Sequence, residues 1–245
     1  MQWDDFSKLS GDEAIKFTED MFLFKFGKRE HLEEIAKGRI RFGAISNYTQ
    51  GPESDITDEK ECRMVFPEGC EITIDGKKIG DTMNIEYRIE KLEGYGIFCA
   101  SKPMLEIIQR NDDCCILRIR KEYVDNMEKL GKDSGYGHVA VLNRMFFDRI
   151  CKDHISIMKW QPVSYYDEEQ FPDLFSRIRD DPAELAYCKR SRFSYQREFR
   201  VLCNIPLKHG EHETIEMSPD IFSQIMEIDN LYGCEIKICR EGYED

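Results

Sequence analysis

Residues 192–201 read RFSYQREFRV, and this stretch decides how the late part of the chain is interpreted. Apolar side chains alternate in it with polar ones, which is typical of a half-buried strand. The pattern predicts a strand over 194–204 with its apolar side chains on one face. Gln196 and Glu198 then lie on the opposite face, two residues apart and pointing in the same direction.

A carboxylate beside an amide suits a site at which positive charge develops on a sugar. Glu198 would stabilise an oxocarbenium-like transition state and hold a ribose hydroxyl, while Gln196 would orient an acceptor. A strand whose polar face is only solvated has the same pattern. On these residues alone, both interpretations stay open.

The rest of the chain is predicted to contain more strands than helices. Helices are predicted at 10–19, at 30–37 with Gly38 as its end, at 121–130, 143–152 and 182–189, and after Ser218-Pro219-Asp220. Strands are predicted at 21–26, 39–45, 84–90, 95–100, 114–119, 138–142, 155–165, 212–217 and 233–239, with a hairpin at Asp75-Gly76 and mainly loop at 46–69. Because long helices do not alternate with the strands, we expect an α+β fold of mainly antiparallel split sheets with peripheral helices. No linker or repeat interrupts the chain, which favours a single domain over 1–245.

The composition predicts a globular cytoplasmic protein. Hydrophobic residues make up 41% and charged residues 34%, with a formal net charge of −13. No apolar run approaches the roughly 18 residues of a membrane span, and the first residues carry acids where a signal peptide carries Lys or Arg. The acidity disfavours non-specific duplex binding. A nucleic-acid substrate in a locally basic groove stays open, although the basic run at 189–192 is more typical of a solvated face.

Cysteine and histidine spacing predicts neither a metal site nor disulfides. The ten cysteines include no C-x-x-C pair, so we expect reduced cysteines, several of them in the core. His209 and His212 lie three residues apart in a polar turn without a third ligand nearby, so no metal site is expected. The motifs of P-loop enzymes, Rossmann dehydrogenases, serine hydrolases and zincins are absent from the sequence.

Three short motifs resemble those of ADP-ribosyltransferases, whose fold is shared with bacterial toxins of the diphtheria and cholera type. Gln196-x-Glu198 resembles the Q/E-x-E signature of that family on a late strand. Phe24-Lys25-Phe26-Gly27 stands where the family has an aromatic next to a basic residue that contacts NAD. Phe98-Cys99-Ala100-Ser101 stands at the place of its aromatic-x-x-Ser motif. The segments 46–59 and 187–200 also resemble a large, poorly characterised bacterial family thought to share this fold.

The resemblance implies an ADP-ribosyltransferase-like fold that uses NAD as a substrate. It implies Glu198 and Gln196 as catalytic residues. The implied NAD-binding residues are Lys25, Phe26, Arg41, Asn47, Tyr48, Ser101 and Arg192. It further implies a protein or nucleic-acid acceptor, as for a bacterial toxin or phage-defence effector, together with an antitoxin or regulatory partner.

Two departures from the family pattern support other hypotheses. Lys25 replaces the usual Arg or His and offers a point charge without the planar fork, so Arg41 or Arg192 would have to grip a phosphate. Ser101 is the single hydroxyl of the middle motif. A catalytically inactive member that senses a nucleotide or binds a protein is therefore the second hypothesis, and it predicts Glu198 in a salt bridge, away from any pocket. In the third, the Gln196-x-Glu198 pattern is a coincidence.

Overall fold

The computed structural model describes residues 3–49, 62–65, 71–81, 86–88, 92, 95–144, 147–148, 157–167, 177–178, 180–217 and 222–242. The α-helices are α1 (Trp3–Phe6), α2 (Gly11–Glu19), α3 (Arg29–Ala36) and α4 (Lys121–Ser134), and 3-10 helices cover Ile45–Asn47, Pro182–Tyr187, Ser191–Gln196 and Ile228–Gly233. The strands are β1 (Phe22–Gly27), β2 (Arg39–Ala44), β3 (Arg63–Val65), β4 (Glu71–Ile74), β5 (Lys77–Asp81), β6 (Glu86–Arg88), β7 (Gly96–Ser101), β8 (Leu105–Arg110), β9 (Cys114–Ile119), β10 (His138–Asn143), β11 (Ile157–Pro162), β12 (Ser164–Tyr166), β13 (Cys188–Arg190), β14 (Glu198–Cys203), β15 (His212–Glu216), β16 (Phe222–Glu227) and β17 (Glu235–Cys239).

Local sequence signals explain several of these boundaries. Helix α2 begins with a capping box, in which the Ser10 side chain accepts from the Glu13 backbone N–H and the Glu13 carboxylate accepts from the Ser10 N–H. Gly38 follows α3 with a φ of 81°. Asp75 and Gly76 both have positive φ, as a type I′ hairpin turn requires. These predicted helix boundaries and the predicted hairpin are confirmed.

The largest sheet of the described residues has eight strands. Its order is β11-β14-β7-β1-β10-β16, with β2 paired to β7 and β15 paired to β2, and every pair in it is antiparallel. A separate antiparallel sheet has the order β17-β9-β8, and β12 pairs with β13 in parallel. The predicted α+β class with mainly antiparallel sheets and few helices is therefore confirmed.

Strand β1 lies between two parts of the hydrophobic core. Leu23 packs in a cluster with Phe98 and Phe199, whereas Phe24 packs in a second cluster with Tyr123. Side chains of a strand alternate between its faces. A strand that is buried on both faces reads as a continuous apolar run, which is why 21–26 is almost uninterrupted by polar residues.

The predicted strand over 194–204 is wrong in its first half. Residues Ser191–Gln196 form a 3-10 helix, and Arg197 then takes the left-handed conformation with φ 45° and ψ 47°. Strand β14 begins only at Glu198. The guanidinium of Arg197 donates to both carboxylate oxygens of Glu19, at 3.2 and 2.7 Å, and this ion pair stabilises the turn.

Other predictions along the chain are corrected by the structure. Strand β8 was not predicted, because residues 105–110 read LEIIQR and alternate poorly. The helix predicted after Ser218 begins outside the described residues, and residues 222–227 form strand β16 instead. The helix predicted at 182–189 is a 3-10 helix over Pro182–Tyr187. The helix predicted at 143–152 lies largely outside the described residues.

The expectation of reduced cysteines fails at one pair. Cys114 and Cys239 form a disulfide between β9 and β17, which are adjacent antiparallel strands with these two residues directly opposite. Because 125 residues separate the two cysteines in the chain, their spacing gives no sequence signal of this pairing. Within the described part of the chain, no helix is long and apolar enough to cross a membrane.

Candidate functional site

Three neighbouring strands bring the residues of the sequence motifs together. Strand β7 lies between β14 and β1 in the large sheet. Ser101 is directly opposite Glu198 on one side and opposite Phe24 on the other. A cavity of about 120 Å³ opens at this place. Its polar wall consists of Lys25, Ser101, Lys189, Gln196, Glu198 and Arg200, and the remainder is apolar or aromatic: Phe24, Phe26, Ile45, Tyr48, Ile97, Cys99, Ala100, Met127, Leu130 and Tyr136.

Gln196 and Glu198 meet in this cavity by a different route from the predicted one. They lie in different elements on either side of the Arg197 turn, and not on one face of a strand. The ammonium of Lys189 joins their side chains, because it donates to Gln196 Oε1 at 2.9 Å and to Glu198 Oε2 at 3.2 Å. The amide nitrogen of Gln196 donates to the Tyr195 hydroxyl at 3.3 Å.

Glu198 is a partly buried carboxylate held by two cations. Arg200 Nη2 lies 2.8 Å from Glu198 Oε2, which is the same oxygen that accepts from Lys189. Burial by itself raises the pKa of Glu198, but the charges and hydrogen bonds of Arg200 and Lys189 outweigh it and lower the pKa below its ordinary value. Glu198 Oε1 accepts no hydrogen bond from the described residues. The side chain is therefore ionised, with Oε2 held by two cations.

The two basic residues beside Glu198 are themselves deeply buried. The side chains of Lys189 and Arg200 are 3% and 1% exposed. Arg200 Nη1 also donates to the carbonyl of Ala186 at 2.6 Å. The prediction of a solvated face for the basic run at 189–192 is therefore wrong for its first residue.

Ser101 lines the cavity and also has a structural role. Its hydroxyl donates to the carbonyl oxygen of Gln196 at 2.5 Å and accepts from the Tyr123 hydroxyl at 2.8 Å. The residue is 5% exposed, and burial raises the pKa of Tyr123, so both hydroxyls stay protonated. Ser101 thus fixes the end of the 3-10 helix that carries Gln196.

Lys25 reaches the cavity from β1. Its ammonium donates to the carbonyl of Cys99 at 2.6 Å and lies 4.8 Å from the centroid of the Phe98 ring. Burial lowers the pKa of Lys25, and the negative charge of the Glu198 carboxylate offsets part of this lowering. The residue places its side-chain nitrogen in the same cavity as Glu198.

A second, larger cavity of about 710 Å³ adjoins the first. Lys25, Phe26, Tyr48 and Tyr136 line both. Arg41 and Asn47 line the second cavity together with His31, Glu34, Arg39, His212, Thr214 and Glu216. Arg41 Nη2 lies 3.1 Å from His212 Nδ1, and Asn47 is tied to the loop that precedes β15 by hydrogen bonds with the Gly210 N–H and the Glu211 carbonyl.

Eight of the nine predicted site residues line one or both cavities. The exception is Arg192, which is exposed, lies 4.4 Å from the Phe193 ring centroid and lines neither. The structure therefore does not place Arg192 with the other eight residues, and its neighbour Phe193 is buried.

Sequence reasoning missed Lys189, Arg200 and Tyr136 as cavity residues. The segment 187–200 contains the first two, but a basic residue in a charged run gives no signal of burial. Tyr136 follows α4 in a loop, where no periodicity applies. The second hypothesis predicts that Glu198 lies in a salt bridge and away from any pocket. The salt bridge is present, to Arg200, but Glu198 lines the cavity.

Comparisons with known proteins found no match: no protein-family model, no curated protein and no solved structure matches the chain. Within the described residues, no group of three or more His, Cys, Asp or Glu side chains is placed to hold a metal ion. The site's own geometry is therefore what supports a function.

Proposed function

We propose that the chain is a NAD-consuming ADP-ribosyltransferase with Glu198 as its central catalytic residue. The observation that carries the proposal is the cavity itself. An ionised carboxylate with one uncommitted oxygen, the amide of Gln196 and the ammonium of Lys25 line a small space that is otherwise apolar and aromatic. Small-molecule sites typically combine apolar walls with few convergent polar groups.

The geometry suits cleavage of the bond between nicotinamide and ribose. The planar ring would lie among the aromatic and aliphatic walls, with the glycosidic carbon at Glu198. The bond breaks with its electron pair passing to the ring nitrogen, which neutralises the pyridinium and leaves positive charge on the ribose. Glu198 Oε1 would stabilise that charge in a low-dielectric site, where a fixed carboxylate is most effective.

The rest of the dinucleotide would occupy the second cavity. Lys25 lies at the boundary of the two cavities and would contact the phosphates. Arg41 offers the planar, bidentate group that Lys25 lacks. Asn47 and Tyr48 line the same cavity. Gln196 would orient the acceptor, a protein or a nucleic acid, in the manner of a toxin or phage-defence effector with an antitoxin or regulatory partner.

A catalytically inactive nucleotide-binding protein is the second candidate. The observation in its favour is the pair of cations on Glu198 Oε2, because two positive charges reduce the field that the carboxylate exerts on a bound sugar. In this case NAD would bind without turnover, and Lys25 would serve as an anion contact.

The test compares two buried glutamates. Release of nicotinamide and transfer of label from radiolabelled NAD are followed in cell lysate for the wild type, Glu198→Gln and Glu184→Gln. Glu184 is also buried and accepts from Gln161 and Arg177, but it lines neither cavity. We expect turnover to fall about 10²-fold or more in Glu198→Gln and to persist in Glu184→Gln.

Each outcome discriminates between the candidates. Turnover that survives in Glu198→Gln contradicts the catalytic role of that residue. NAD binding without turnover in the wild type supports the inactive nucleotide-binding candidate. If the wild type neither binds nor turns over NAD, both candidates are contradicted. The sensitivity of the labelled product to protease or nuclease identifies the acceptor class.

A further inference from the structure

Lys189 occupies a position between the two residues of the proposed catalytic pair. It lies in β13, and its side chain is 3% exposed. Its ammonium contacts Gln196 Oε1 at 2.9 Å, Glu198 Oε2 at 3.2 Å and the Phe193 ring, whose centroid is 4.8 Å away. One buried group therefore touches the side chains of both residues.

The backbone does not fix how these two side chains meet. Gln196 ends a 3-10 helix and Glu198 begins β14, with the left-handed Arg197 between them. Each side chain has several rotatable bonds, so a common partner is what sets their relative orientation. Lys189 provides that partner from a third element.

Neutralisation of Glu198 does not by itself require Lys189. Arg200 already forms a 2.8 Å ion pair with the same oxygen. Burying a second cation costs desolvation free energy. In return, the three donors of an ammonium can hold an amide and a carboxylate simultaneously. The contribution of Lys189 that Arg200 does not duplicate is thus one of geometry.

We propose that Lys189 is a positioning residue that holds the Gln196 amide and the Glu198 carboxylate in one arrangement, with Glu198 Oε2 fixed and Oε1 directed to the ligand. The inference rests on the proposed function as far as the reaction is concerned. The effect of Lys189 on the Glu198 carboxylate does not require NAD and can be measured without it. Removing the ammonium takes away the Lys189 contact of the Gln196 amide oxygen, takes one of the two cations from Glu198, and leaves Arg200 in place.

The experiment uses Lys189→Met in the full chain, with Lys159→Met as the matched control. Lys159 forms an ion pair with the buried Glu184, and it lines neither cavity. The first readout is the titration of the Glu198 carboxyl, followed by ¹³C NMR and assigned with Glu198→Gln. We expect Lys189→Met to raise the Glu198 pKa by about 1 or more, and Lys159→Met to leave it unchanged.

The second readout is the pH dependence of nicotinamide release. An ionised Glu198 is required, so activity is lost as the pH falls through its pKa, and this acid limb should move to higher pH in Lys189→Met. We expect kcat at neutral pH to fall by up to about 10²-fold from misplacement of the pair, with the KM for NAD little changed. Lys159→Met should retain the wild-type kcat and acid limb.

The two readouts separate failure of this inference from failure of the proposed function. A wild type that releases no nicotinamide, with a Glu198 pKa that still rises in Lys189→Met, refutes the transferase and supports the contact between Lys189 and Glu198 that the positioning role requires. An unchanged pKa and kcat in Lys189→Met overturns the positioning role alone. If Lys189→Met does not fold, Lys189→Gln keeps a donor without the charge and is read by the same criteria.

Discussion

At the residue scale, the chemistry of the site depends on the environment of a single carboxylate. Glu198 is 13% exposed and is paired with two cations that are more deeply buried than itself. Ion pairs of this kind contribute little net stability when intact, but removing one partner leaves an uncompensated buried charge. The residue therefore links the stability of the protein to the geometry of the candidate site.

The pairing of Glu198 predicts a pH-dependent stability. Its pKa is lowered in the folded state, so the unfolded state binds a proton more readily. The stabilisation is therefore fully present above the unfolded-state pKa and is lost as the pH falls toward the lower folded-state pKa. We expect Glu198→Gln to reduce the free energy of unfolding by about 3 kcal/mol at neutral pH.

Urea unfolding of wild type and Glu198→Gln between neutral and acidic pH checks this expectation. The difference between the two proteins should shrink below the ordinary pKa of a glutamate. A difference that stays constant with pH would mean that Glu198 is not ionised in the folded protein.

At the scale of elements, the turn between α4 and β10 shapes both cavities. Gly131 lies in α4, and its carbonyl accepts from the Tyr136 N–H at 2.9 Å. A Cβ at Gly131 would lie 2.3 Å from the carbonyl oxygen of Tyr136 and 3.1 Å from Ile228 Cδ1. Since Tyr136 lines both cavities, the absence of a side chain at Gly131 fixes part of their wall.

Gly131→Ala should therefore displace the backbone of Tyr136. An alanine gains about 1 kcal/mol of helix propensity, but a contact this short with backbone requires a shift of the chain. We expect a net loss of about 1–3 kcal/mol in the free energy of unfolding and weaker NAD binding.

Gly137→Ala is the matched control for this variant. A Cβ at Gly137 meets no atom within 4 Å, and its effect should stay within about 0.5 kcal/mol. Thermal unfolding and NAD titration of both variants provide the measurement. Equal stability of the two proteins would show that the Tyr136 loop adapts without cost.

At the scale of the whole molecule, the Cys114–Cys239 disulfide joins distant parts of the chain. It closes a loop of 125 residues and ties β17 to β9 in the three-stranded sheet. The cavities lie against the large sheet, to which these strands do not belong. Stability and activity should accordingly respond differently to reduction.

We expect reduction of this disulfide to lower the free energy of unfolding by about 2–5 kcal/mol, since a cross-link over a long loop restricts the unfolded chain. Nicotinamide release well below the unfolding temperature should persist. Urea unfolding with and without reductant measures the change in the free energy of unfolding. The control is the Cys114→Ser/Cys239→Ser double variant, whose stability the reductant should leave unaffected. An identical midpoint in oxidised and reduced wild type would contradict the expectation.

Much of the fold follows from local sequence patterns. The capping box at Ser10, the glycine after α3 and the Asp75-Gly76 turn each specify a conformation within a few residues, because they act through hydrogen bonds or backbone sterics at short range. The apolar run of β1 likewise indicates its burial on both faces. The helices and strands predicted from such signals are those that the structure confirms.

Tertiary structure alone decided the geometry of the candidate site. Strand alternation in the sequence predicted that Gln196 and Glu198 meet, and the resemblance to ADP-ribosyltransferases added Lys25 and Ser101 to the site. The left-handed Arg197 breaks that alternation. Arg197 is paired with Glu19, and the buried ammonium of Lys189 contacts Gln196, Glu198 and Phe193. Ion pairs and burial between residues far apart in the chain are set by packing, and no local pattern records them.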